Sequence, residues 1–167
     1  LPAESFIRGR AALIVAYGLV QPELALDILE AGFMVDPLSA ELHAVQGNVY
    51  RKLERFDDAR KSFLEAINLD PLNPNSYGRM ATVSGELGDI TGIFEWRLKT
   101  IQVDPQDHEV AGHMARDFYE WGLPEEGDRW MDRVRALAPN SEILQRLHID
   151  RALSRNDATE LLTMAEK

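Results

Sequence analysis

The sequence contains no cysteine. Disulfides and thiolate metal sites are therefore excluded, although a cysteine-free chain suits either redox compartment. It also lacks a long hydrophobic run, because the longest, Ala11 to Tyr17, is far too short to span a bilayer. Basic residues are scarce beside acidic ones: 18 Lys and Arg face 28 Asp and Glu, for a formal charge of −10. That balance disfavours nucleic-acid binding and attachment to a membrane surface through a basic patch. Leu1 is not an initiator Met and no signal-peptide layout follows it, which reads as a processed chain or excised domain, soluble and with the cytoplasm favoured.

Signatures of catalysis are missing as well. Gly85-Glu86-Leu87-Gly88-Asp89 lacks the Lys-Ser/Thr ending of a phosphate-binding loop and reads as a turn between helices. There is no Gly-x-Ser-x-Gly elbow and no thiol nucleophile. His108 and His113 lie five residues apart, which turns them about 140° from each other on a helix, so they do not form the zinc pair of a helical protease. The acidic pairs Asp57-Asp58 and Glu125-Glu126 open helices, where carboxylates suit the positive end of the helix dipole. The expectation is a non-enzyme with no metal and no cofactor.

What the sequence does contain is a period. Pro37, Pro71, Pro105 and Pro139 are each 34 residues apart, the first three preceded by Asp. Leu19, Leu53, Leu87 and Trp121 keep the same spacing, as do Ala25, Ala59, Ile93 and Gly127. Repeats of 20–50 residues signal a solenoid of stacked supersecondary units. Within one period, Leu42, Val45, Val49 and Leu53 recur at helical steps, and after Glu54-Arg55 so do Phe56, Ala59, Phe63, Ala66 and Ile67. Asp-Pro then stops the second helix, because the residue before proline is driven out of the α region. Gly47, Ala81 and Ala115 are small enough for the two helices of a pair to approach closely. The spacing predicts helices near 4–18, 22–35, 39–53, 56–69, 73–87, 89–103, 107–121, 124–137, 141–153 and 157–166.

This pattern resembles the tetratricopeptide repeat (TPR) family, and the resemblance is closest where Gly47, Tyr50, Ala59, Phe63, Ala66 and Pro71 occupy the family's signature places. It implies an all-α, right-handed superhelical solenoid of antiparallel helix pairs, with about ten helices in a single TPR-like domain over 1–167. The repeats would be 6–39, 40–73, 74–107 and 108–141, with a partial or capping pair at 142–167. The fourth repeat departs from the pattern by placing Gly127 where alanine is usual.

For function, the resemblance implies a protein- or peptide-binding scaffold that uses a concave groove lined by the first helices, within a larger protein or assembly. Self-association (a homo-oligomer) and a substrate-positioning lobe of a larger enzyme are the alternatives. By helical geometry and the family's layout, the groove would present Arg10, Tyr17, Asn48, Arg51, Asn75, Arg116 and Tyr119. With Glu41 and Glu109 on the same face, the groove residues sum to a formal +1 on a −10 chain, which suits an acidic or neutral extended peptide. Ile14, Val45 and Glu109 stand where the family's clamp for chaperone tails needs polar or basic groups, so no such clamp is expected. Trp96 and Trp130, again 34 apart, either wedge between helices or form an outer-face contact for a partner.

Overall fold

A computed structural model describes residues 2–158. Among these the secondary structure is entirely helical: α1 (Pro2–Leu13), α2 (Pro22–Phe33), α3 (Ala40–Lys52), α4 (Phe56–Leu69), α5 (Pro74–Glu86), α6 (Ile90–Val103), α7 (His108–Glu120), α8 (Pro124–Leu137) and α9 (Glu142–Ser154). Each expected helix from the second to the ninth is present within about three residues of its expected bounds, and the first ends early. The tenth, at 157–166, lies outside the described residues from 159 onward.

The period is visible in the backbone at three kinds of position. Ser39, Asn73, Asp107 and Ser141, each 34 residues apart, cap the first helices α3, α5, α7 and α9, their side-chain oxygens accepting from the N–H of Leu42, Asn75, Val110 and Leu144. Such caps satisfy amides that have no partner within the helix. The second helices have no side-chain cap of this kind at Gln21, Arg55 or Leu123; α2 and α8 begin instead with Pro22 and Pro124, which tolerate the missing N–H in a first turn. Val20, Glu54, Gly88, Gly122 and Asn156 all have positive φ, once more 34 apart, and reverse the chain after each first helix.

Glycine and asparagine adopt that left-handed conformation readily, but a β-branched residue is strained there. Val20 has φ 57° and is largely exposed, so it gains no packing in exchange. Val20→Gly is therefore expected to stabilise the protein by about 1 kcal/mol, the left-handed penalty outweighing the entropy cost of glycine. A urea melt with an unchanged or lower midpoint would contradict this. The same turn differs from expectation on its other side. The sequence predicts one helix over 4–18, whereas α-helical bonding stops at Leu13 and Ile14–Gly18 is a wider π-helical turn. There the N–H of Leu19 reaches the carbonyl of Ile14 and that of Gln21 reaches Val15, so the last turn before α2 is widened.

The described residues form two compact units divided between Lys99 and Thr100. In the first, Ala12, Ala16, Ala25, Leu29, Leu42 and Val49 form one core between α1, α2 and α3. Phe63 and Met80, with Ala59 and Val83, form the next between α4 and α5, closed by Tyr50, Phe56, Ile67 and Trp96. The second unit packs α7, α8 and α9 around Ala115, Tyr119, Met131, Val134, Ile143 and Leu147. Small residues decide the spacing within a pair. A Cβ on Gly47 would stand 2.5 Å from the Phe63 ring, so α4 lies against α3 at a distance that only glycine permits.

Candidate functional site

The first helices of the first unit supply a cleft of ≈450 Å³, lined by Phe6 and Arg10 of α1, Asn48 of α3, and Asn75 and Arg79 of α5. Three of the groove residues expected from sequence, Arg10, Asn48 and Asn75, thus meet in one place. Asn48 is its fixed point. The side chain is buried, and its Oδ1 accepts a hydrogen bond from Nη1 of Arg79. The carbonyl of the same residue accepts from the Tyr17 hydroxyl at 2.9 Å, which holds that ring beside the cleft.

Arg79 is the residue sequence reasoning left out of the groove. It stands four residues beyond Asn75, on the same side of α5, and its long side chain reaches back to Asn48. Burial, and then the charge of nearby Arg51, holds its pKa below the usual guanidinium value. No carboxylate pairs with Arg79 or with Arg10 among the described residues. Glu41 and Asp70 also border the cleft, without an ion pair to either arginine.

Arg51 occupies its expected helix face but is already engaged. Its Nε lies 2.9 Å from Oε2 of Glu86 and its Nη2 2.6 Å from Oε1, a forked ion pair between α3 and α5. Those bonds raise the Arg51 pKa. The formal +1 of the groove therefore overstates its free positive charge, because Glu86 neutralises one of the arginines counted. What the cleft offers an anion comes from Arg79 and Arg10.

In the second unit, a smaller cleft of ≈280 Å³ lies between α7 and α9 and includes Arg116, Arg146 and Asp150. Arg116 is exposed, with Nε 3.7 Å from Glu120 Oε1. Burial raises the Asp150 carboxyl above the ordinary range, against the opposing pull of Arg116. Tyr119 is not part of this surface. Its ring is 3% exposed and its hydroxyl donates to Asp128 Oδ1 at 2.9 Å, which places it in the core between α7 and α8. The reason lies eight residues on, at Gly127, where a Cβ would overlap the Tyr119 ring. The glycine in place of the usual alanine makes room for an inward tyrosine, and helix phase alone does not register that exchange.

Trp96 and Trp130 are both half-buried. Trp96 packs on the Phe63–Met80 core with its ring 6.2 Å from that of Tyr77, and Trp130 packs on the core around Tyr119. Each carries a cation from one turn further along its helix, Lys99 at 4.2 Å and Arg133 at 5.8 Å from the ring centres. Among the described residues, no group of three or more His, Asp or Glu is placed to hold a metal, and no helix is long and apolar enough to cross a membrane.

The tetratricopeptide repeat family model matches residues 40–73. Solved structures share the fold at low identity. Pseudomonas aeruginosa pilF is 18% identical with a TM-score of 0.77, over 97% of this chain and 73% of that one. A tetratricopeptide repeat protein from Parabacteroides merdae is 14% identical with a TM-score of 0.79, over 95% and 62%. YrrB, described as a TPR protein with an unusual peptide-binding site, is 16% identical with a TM-score of 0.64, over 96% and 91%. The chain thus carries a tetratricopeptide repeat at 40–73 and shares the all-α solenoid fold of tetratricopeptide repeat structures.

Proposed function

We propose that the cleft between α1, α3 and α5 binds an extended, acidic or neutral peptide segment of a partner protein, and that the chain acts as an interaction module of a larger protein or assembly. One observation carries this reading. Arg79 is half-buried, held by Asn48, and has no carboxylate partner among the described residues, so part of the desolvation that a guanidinium pays on binding is already met in the free protein. Arg10 adds a second free cation, Asn75 is exposed to hydrogen-bond a peptide backbone, and Phe6 offers apolar contact. That YrrB is described as having a peptide-binding site is in keeping with this use of the fold.

The test is titration of the protein with a fluorescent peptide of alternating Glu and Ala. Asn48→Ala and Arg79→Ala are each expected to weaken binding by about 1–3 kcal/mol, the range for losing a hydrogen bond to a charged or buried polar group. Arg51→Ala is expected to weaken it less, because its guanidinium already serves Glu86. Unchanged affinity in the Asn48→Ala/Arg79→Ala double variant, with circular dichroism intact, would move the binding surface elsewhere.

A further inference from the structure

A second cleft opens on the other side of α3. Tyr50 lies about 200° round the helix from Asn48, so a ligand seated on one does not touch the other. This cleft, of ≈340 Å³, has apolar walls from Leu26 and Phe33 of α2, from Met34 just after it, and from Tyr50. Met34 is 84% exposed, an unbranched apolar side chain with no intramolecular cover. Asp27 and Glu30 stand in the same cleft, three residues apart and hence on one face of α2. Neither carboxylate has a hydrogen-bond or ion-pair partner among the described residues.

The surrounding sequence cannot supply one. From Ala11 to Tyr50 there are five acidic residues, Glu23, Asp27, Glu30, Asp36 and Glu41, and no Lys or Arg. Arg55, whose guanidinium lies 4.5 Å from the centre of the Tyr50 ring, is committed to Asp58 through Nε and Nη2. Apolar walls and unpaired carboxylates side by side define the complement: an apolar side chain next to a cation.

We propose that this cleft docks a basic amphipathic segment of a partner protein, with an apolar side chain against Met34 and Leu26 and a Lys or Arg across Asp27 and Glu30. The cation's methylene stem adds to the apolar contact while its head meets the acids. The two clefts of the unit then differ in preference, acidic or neutral peptide at Arg79 and basic peptide at Asp27, on opposite sides of α3. The charge of Asp27 and Glu30 also rejects anionic ligands by repulsion.

The experiment uses the full chain and two fluorescent helical peptides, one with Leu and Lys a turn apart and one with Glu in place of each Lys. The Lys peptide is expected to bind, more weakly as salt rises, and the Glu peptide is expected not to bind at this cleft. Asp27→Asn/Glu30→Gln should reduce affinity for the Lys peptide by about three- to tenfold, the combined effect of two partly exposed ion pairs. Met34→Ser should reduce it as well, and neither variant touches the core, which the thermal midpoint checks. Arg79→Ala should leave Lys-peptide binding unchanged, so failure of the cleft at Arg79 and failure of this one are distinguishable. No binding of the Lys peptide, equal affinity in the Asp27/Glu30 double variant, or a concentration-dependent dimer that Met34→Ser abolishes without any peptide bound would each overturn the proposal.

Discussion

Phe63→Ala is expected to lower the unfolding free energy by about 3–5 kcal/mol, the cost of removing a buried aromatic ring and leaving a cavity. Phe63 has no exposed surface and lies where α4 meets α3 and the α4–α5 core begins. Its partner in this contact is an absence. Gly47 leaves the space into which the ring fits, and a Cβ there would approach three ring atoms at 2.5–2.7 Å. Gly47→Ala therefore sets two effects against each other: a gain of about 1 kcal/mol in helix propensity and an overpacking cost of about 1–3 kcal/mol. Overpacking should win, because the ring is enclosed and cannot swing into solvent. Gly78→Ala is the control. It is also mid-helix, but its Cβ would meet nothing within 4 Å, so it should stabilise by up to about 1 kcal/mol. Urea melts of the two alanine variants should shift in opposite directions. A double-mutant cycle with Phe63→Leu should show Gly47→Ala costing less once the ring is gone.

The second large effect is expected at Tyr119. Tyr119→Ala should cost about 3–5 kcal/mol, as for other buried aromatic rings. Tyr119→Phe should cost only about 1–3 kcal/mol, the contribution of the bond to the Asp128 carboxylate. Gly127→Ala should be destabilising in the wild-type background and close to neutral with Tyr119→Ala, since the ring is what the new methyl would strike. The phenol also predicts a pH response. Burial, with the hydrogen bond to Asp128, raises the Tyr119 pKa well above the usual tyrosine range. Its contribution to stability is thus complete below the unfolded value of about 10 and is lost as pH rises above it, because the unfolded chain ionises first. Wild type should lose stability above that pH more steeply than Tyr119→Phe, and parallel curves would contradict the assignment.

Most of the helical architecture was legible because it is written in local chemistry. Proline stops and small residues at close approaches act over a few residues, and each recurs every 34. The site was legible only in part. Arg10, Asn48 and Asn75 come together because helix phase and the repeat put them on equivalent faces. Arg51 keeps that phase but is claimed by Glu86, a residue 35 positions away that helix phase does not relate to it. Arg79 stands four residues beyond Asn75 on the same side of α5, but helix phase does not show that buried Asn48 holds its guanidinium. Tyr119, in phase with Tyr17 and Arg51, turns inward because Gly127 left a hole in the neighbouring helix.

The sequence by itself determined the helices and their pairing, since these depend on residues close along the chain and on a period that repeats them. The tertiary structure decided which side chains on those helices remain free. That is settled by contacts between helices, Asn48 with Arg79, Arg51 with Glu86, Tyr119 with Gly127 and Asp128, where a single atom's space or a single carboxylate outweighs helix phase. Asp27 and Glu30 are the converse: their free carboxylates follow from a 40-residue stretch without a base, but the apolar cleft beside them exists only once α2 and α3 have packed.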